Sequence, residues 1–398
     1  MPLIAPNPLV PPIRTDGTNV FADHTVRVRL IDILDETLNV NPTLFPAAQA
    51  AVTALRDEIA ADEPIKMLPA RPLAQPEYHG WAAACAARAG ATWRNVDWFF
   101  CETFMYRRLM QAVTYFETED DPFLPIKRAE YESSVHRTVL DNALFAGQMG
   151  GTVQRLDATL AQAVFGNRVD LSYAESRAQG LGTSESDLLV DDRPIVIDHL
   201  LENPSGDVHV VADNAGSELS ADLCLIDLLI RENIARRVFL HVKLHPTFVS
   251  DVIRADVLRF VMACAAGRYG MGARRMGTRL YDALRIGRLV LSDDPFWNSA
   301  YFAWEMPPAL ADSLQAGALV IVKGDANYRR FMGDAFWPHE TSFKHVVGGL
   351  GMNLLMLRTL KSDPLVGLSA GMAEKLEAQD PRWRWSGKRA LIQAHLNR

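Results

Sequence analysis

Three acidic segments of this chain share one placement. In "VVADNAG" the pair Asp213-Asn214 directly follows an apolar, β-branched run; in "VFLHVKLHPTFVSD" Asp251 follows a second run and a short loop; in "ALVIVKGDANYRR" Asp325 stands three residues beyond Val322. Runs of this length and composition read as strands. If the strands are parallel, their carboxyl ends lie on one side and the acids converge, although more than a hundred residues separate the first from the last. Two or three oxygen donors there suit a hard divalent cation, and magnesium is usually held by only one or two carboxylates, with water and phosphate filling the other positions. Asn214 adds an amide oxygen, and Lys323, Asn327, Tyr328 and Arg329 add donors suited to a phosphoryl or sugar group. Acids after strands also serve as helix N-caps. "LVDD" (Asp191, Asp192) and "LSDDPFW" (Asp293, Asp294) repeat the pattern, so convergence alone does not define a metal site.

The elements that must position these groups fall into two regions. From about Thr18 to Gly150 the patterns are helical, as in "VRVRLIDILDETL", "PAAQAAVTALRDEIAADEP" and the aromatic-rich "NVDWFFCETFMYRRLMQAVTYFE", with prolines 64, 69, 72 and 76 marking a loop. From 151 onward short apolar runs alternate with helical segments: Leu188–Val190, Val208–Ala212, Val238–Val242, Arg288–Leu291 and Ala318–Val322. The expectation is an α/β fold, a three-layer α/β/α sandwich around a mostly parallel, Rossmann-like sheet, over residues 151–398, preceded by an all-helical domain over 1–150. Ligands then bind beyond the carboxyl ends of the strands.

Composition narrows the function classes. The chain of 398 residues is 48% hydrophobic and 22% charged, as ordinary globular enzymes are, and its net charge of −7 with no basic run argues against a nucleic-acid surface. No apolar run is long enough to span a membrane, and the proline-rich start lacks the pattern of a secretory signal. Four scattered cysteines, Cys85, Cys101, Cys224 and Cys264, read as reduced core residues of a cytoplasmic protein. The spacing places no limit on oligomeric state.

Several blocks together carry a resemblance. Asp213-Asn214-Ala215-Gly216, Phe248-Val249-Ser250-Asp251, Lys323-Gly324-Asp325-Ala326-Asn327-Tyr328-Arg329 and Arg358-Thr359-Leu360-Lys361 resemble, in order, the signature blocks of the damage-control metal-dependent phosphatases. The Arg-Thr-x-Lys block is similar to that of the sugar-phosphate branch, also described as acidic-residue methyltransferase-like. Weaker matches are "WFFCETFMYRR", "FGNRVDLS" around Asn167 and Asp170, "LLVDD" and Phe296-Trp297. Ser217 and Ala326 stand where bulkier residues are usual.

The resemblance implies a divalent-metal-dependent phosphomonoesterase acting on small phosphoesters such as fructose phosphates, with magnesium, manganese, cobalt or nickel on Asp213, Asn214 and Asp251. Asp213 is the indispensable residue, either as the nucleophile that forms an aspartyl-phosphate or as the group orienting an attacking water. Asp325, Asn327, Tyr328, Arg329 and Lys361 bind substrate, while Glu102, Arg107, Asn167, Lys243, Lys323 and Arg358 complete the candidate set. "VVGGLGMNLLMLRTLK" reads as an apolar helix whose end returns Arg358 and Lys361 to the sheet edge, where Lys361 is either a phosphate ligand or a cation at a helix C-terminus.

Two rival functions remain: an S-adenosylmethionine-dependent carboxyl methyltransferase, which lacks a glycine-rich loop here, and a non-catalytic sugar-phosphate sensor. "GMGARRMG" has the wrong last spacing for a nucleotide loop, and His241 with His245 reads as a structural pair rather than a zinc site. Alanine at position 215 removes the second aspartate that a haloacid-dehalogenase-type phosphatase needs.

Overall fold

Seven strands form where apolar runs are closed by turn residues: β1 (Leu188–Asp191), β2 (Gly206–Val211), β3 (Ala235–His241), β4 (Leu289–Ser292), β5 (Leu319–Lys323), β6 (Leu354–Thr359) and β7 (Ala390–His395). The computed structural model describes residues 2–68, 78–165 and 187–397. The strands make one sheet in the order β1-β7-β6-β5-β2-β3-β4. Every pairing is parallel except β6 with β7. From β2 the chain steps outward through β3 to β4, then returns to the other side of β2 as β5 and β6. The strand order therefore reverses between β2 and β5, and such a reversal opens a crevice beyond the strand ends.

Alternation along the strands feeds two cores. Val208 and Val210 of β2, Leu319 and Ile321 of β5, and Leu355 and Leu357 of β6 enter one core, packed by the helix Ser217–Arg231 and its neighbours. Val211, Val320, Val322, Leu354 and Met356 face the other, packed by Pro308–Gln315 and Asp325–Met332. Because successive side chains point to opposite faces, strands covered on both sides are apolar throughout. This is the expected three-layer arrangement. Helices Leu30–Val40, Pro46–Ala60 and Trp98–Ala112 build a third core around Trp93, Phe100 and Phe104. Helix Ser134–Ala146 instead gives Leu140 and Ala143 to the sheet-side core.

The segment expected to be a helix ending at Lys361 is not one. Only Phe343–Val347 is α-helical, a 3-10 turn follows over Gly348–Leu350, and Leu354–Thr359 is β6, bonded in parallel to β5 and antiparallel to β7. Gly348, Gly349 and Gly351 interrupt the helix, and Gly351 turns the chain with φ +67°. A strand buried on both faces has no alternation to distinguish it from a buried helix. β7 escaped the sequence reading as well.

Near the N-terminus, Val20–His24, Thr25–Arg29 and Leu30–Val40 run on from one another as helix, and the middle segment is a π-helix. The preceding strap joins the helical region to the sheet region: the Thr15 amide donates to the Val96 carbonyl at 2.9 Å and the Ile13 amide to the Asp334 carbonyl at 2.8 Å.

Candidate active site

The loops after β2 and β3 are stitched together by their backbones. Val252 N–H donates to the Asp213 carbonyl at 2.8 Å and Ala215 N–H to the Ser250 carbonyl at 2.7 Å. The β3 loop reaches this position through strain, because Phe248 and Val249 both adopt positive φ, +49° and +67°. A β-branched residue rarely sits there, and such strain clusters at functional sites. Gly324, after β5, has φ +84°, and a Cβ on it would lie 2.0 Å from the Asp213 Cγ. Only glycine lets the β5 end approach the Asp213 carboxylate.

A cavity of about 160 Å³ opens at this switch point, and Glu102, Asp213, Asn214, Asp251, Asp325, Arg329 and Lys361 line it. Asp213 is buried, at 6% exposure. Burial, and then the charges of Glu218 and Asp251, push its carboxyl well above the ordinary range. Burial also raises Asp251, to about 6, against the opposing pull of Lys243. Asn214 joins the acids, its amide nitrogen donating to Asp213 Oδ2 at 2.7 Å and to Glu218 Oε2 at 3.0 Å, while its oxygen accepts from Ser250 Oγ at 2.6 Å. Which end of that amide faces the acids follows from the hydrogen-bond network and reverses with a flip.

The remaining predicted residues divide between the cavity and the scaffold. Asp325 accepts from Arg358 Nε at 2.8 Å and from the Lys361 amide at 3.1 Å. Burial raises its proton affinity, but Arg358 and Arg329 more than offset it and hold the carboxyl below the ordinary range. Arg329 is fixed by Glu102 at 2.6 Å and Asp334 at 2.7 Å, with its guanidinium 3.6 Å from the Trp98 ring centroid. Lys243 lies 3.4 Å from Asp251 Oδ2, poorly aligned for a hydrogen bond, and donates instead to the Trp297 carbonyl at 2.8 Å.

Lys323 points beneath the site to Glu218 and Asp222, at 2.8 and 3.0 Å. Asn327 holds the carbonyls of Ala212 and Lys323, Tyr328 donates to Gln393, and Arg107 is fully buried over Phe116. These four, with buried Arg358, brace the walls and do not line the cavity. Asn167 and Asp170 lie outside the described residues. His241 accepts from Trp297 Nε1 and bonds His209 at 2.9 Å, as a structural histidine does.

The sequence reading missed Glu218, Glu130, Phe21 and Arg29. Glu130 accepts from the Ser217 amide at 2.7 Å, and a Cβ on Gly216 would fall 2.1 Å from its carboxyl carbon. It thus caps the helix that follows Asp213 from a helix more than eighty residues earlier. Glu218 had a legible signal, standing four residues after Asn214 in the first turn of that helix; the others come from the helical region, where no spacing points to the sheet. Of the two small-residue departures, Ala326 lines the cavity and Ser217 is buried.

Among the described residues, no three His, Cys, Asp or Glu side chains gather closely enough to cage a metal alone. The donor set nevertheless fits a divalent cation. Asp251 Oδ2 is buried without a hydrogen-bond partner, and Glu218 and Asp251 both repel the Asp213 charge. Two carboxylates and an amide, with water and phosphate completing the shell, are what magnesium commonly accepts.

Fold and site together define a class: doubly wound α/β proteins with a carboxylate-lined cavity at the switch point, fitted to a divalent cation. The model of the damage-control phosphatase ARMT1-like domain matches residues 26–376, and the chain belongs to that family. It is a divalent-metal-dependent phosphoric monoester hydrolase. Damage-control phosphatase ARMT1 of Danio rerio is 30% identical, covering 94% of each chain. The Homo sapiens protein of the same name is 28% identical over 76% of this chain and 75% of its own. A DUF89 family protein from Pyrococcus horikoshii shares the fold with a TM-score of 0.50 at 12% identity, over 93% of this chain and 97% of that one. No helix among the described residues is long and apolar enough to cross a membrane.

Proposed function

We propose that this enzyme hydrolyses sugar phosphates, fructose phosphates among them, as a metabolite-repair activity. One observation carries the reading: two buried carboxylates with raised proton affinity, Asp213 and Asp251, share a small cavity with the exposed Lys361, which lies near enough to Asp213 to lower that affinity. Asp213, Asn214 and Asp251 would hold the cation, taken as magnesium, manganese, cobalt or nickel. When bound, it supplies charge neutralisation and Lewis acidity at the phosphoryl oxygens.

Phosphoryl transfer asks chiefly for positioning and charge stabilisation. Lys361 is free to donate to the phosphoryl oxygens, and Arg329, locked between two acids, keeps a fixed positive charge at the cavity wall. Asp213 acts at phosphorus, as nucleophile or by orienting water; both roles need its ionised form. Asp325 holds the Lys361 backbone in place. The net charge of −7 supports a small-molecule partner rather than nucleic acid, and four buried free cysteines support a reducing, cytoplasmic setting.

The test is a phosphate-release panel of sugar phosphates and nucleotides with each of the four metals and with chelator. Metal-dependent release from hexose or pentose phosphates is expected. Undiminished release after exhaustive metal removal, or none from any sugar phosphate, would overturn the reading.

A further inference from the structure

We infer that Arg29, carried on the π-helical turn of the N-terminal helix, is the specificity-determining residue that reads the hydroxyl groups of the leaving alcohol, with Phe21 and Trp98 supporting its carbon skeleton. The inference rests on the phosphomonoesterase reading of the same cavity. Phe21, Arg29 and Trp98 all line it, and all come from the helical region rather than the sheet.

Phe21 packs edge-on to Trp98 with centroids 5.5 Å apart and stacks on Trp385 at 5.8 Å, so it is held as a wall. Eight residues of regular α-helix turn through about 80° more than two full turns, which would carry Arg29 off the Phe21 face. The π segment Thr25–Arg29 takes an extra residue into its turn and brings Arg29 back toward that face. Isolated π turns inside α-helices occur frequently at functional sites.

Arg29 keeps its hydrogen-bonding capacity. Its one charged contact among the described residues is Glu102, at 3.9 Å, and its side chain is 50% exposed whereas Glu102 is 3% exposed. That separation exceeds hydrogen-bond length. The other Glu102 oxygen is taken by Arg329 at 2.6 Å. Arg29 and Glu102 therefore present a guanidinium fork and a carboxylate oxygen with a gap between them, a donor and an acceptor for the hydroxyls of a polyol beside an aromatic wall. With Arg329 and Asp334 counted, two cations face two carboxylates here, which suits neutral hydroxyls better than a second anionic group.

The experiment compares Arg29→Ala and Arg29→Lys with wild type on fructose 1-phosphate and on an aryl phosphate that has no hydroxyls. The expected result is a fall of at least tenfold in the ratio of kcat/KM for the sugar to that for the aryl ester, carried by KM, with the lysine variant only partly restoring it because it lacks the fork. An unchanged ratio overturns the assignment. Calorimetric titration of fructose 1-phosphate into each chelator-treated protein separates the two readings. Absence of turnover in wild type removes the phosphatase reading. In that case tenfold weaker binding to Arg29→Ala still supports Arg29, and equal binding, or no binding to wild type, overturns it.

Discussion

Asp213 carries more of the chemistry than any other side chain, and its surroundings predict an inverse relation between stability and function. Its charge is buried and repelled by Glu218 and Asp251, so Asp213→Asn should melt at a higher temperature than wild type in chelator while losing turnover. Divalent metal should stabilise the wild type by about 2.7 kcal/mol at a hundredfold excess over Kd, raising its melting temperature, and leave the variant nearly unmoved; differential scanning fluorimetry reads both. Lys361 follows β6 rather than a helix, so the helix-end reading of its charge no longer applies. Lys361→Met is expected to lower kcat/KM for a sugar phosphate at least about tenfold with little change in melting temperature, the loss of a charge-assisted contact. The acids were legible because each follows a strand that composition alone marks. Arg29, Phe21 and Glu130 were not, because their approach to the site is a matter of packing between helices and sheet.

At the level of elements, the decisive contacts are made by backbone. Gly324→Ala places a methyl group against the Asp213 carboxylate and forces an L-residue to φ +84°. The expected outcome is a loss of about 1–3 kcal/mol in denaturant stability from the backbone strain alone, together with nearly abolished phosphate release. Wild-type kinetics in this variant would show that the two strand ends do not need to touch. Five strands announced themselves through short apolar runs bounded by turns. β6 was misread for a physical reason: buried on both faces, Leu354–Met356 carries the same apolar continuity as a core helix, and only its pairing with β5 and β7 decides between them.

For the whole molecule, acid is the sensitive variable. Burial holds His136 and His209 down to about 4 and His241 and His245 to about 3. The unfolded chain takes up these protons below about pH 6.5, the folded one only near 4 or 3, so stability is full above 6.5 and falls as pH drops through that window. At pH 5 one such imidazole costs about 2 kcal/mol. The raised carboxyls of Asp213 and Asp251 oppose this, because the folded chain takes up their protons first and gains stability as pH falls. The histidine share is therefore read as a difference: urea midpoints of His136→Gln should fall less from pH 7.5 to 4.5 than those of wild type, and parallel profiles would contradict neutral burial. The antiparallel β7 adds a temporal consequence. It lies between β1 and β6, yet it is made after both of them. During biosynthesis β1 therefore waits, its hydrogen-bonding edge unmatched, through some two hundred residues of further translation. Once β6 (Leu354–Thr359) is made, its own outer edge stays unmatched until β7 begins at Ala390. An unpaired strand edge is a template for pairing with another chain, so the last strand made is also the one that closes this sheet against such pairing.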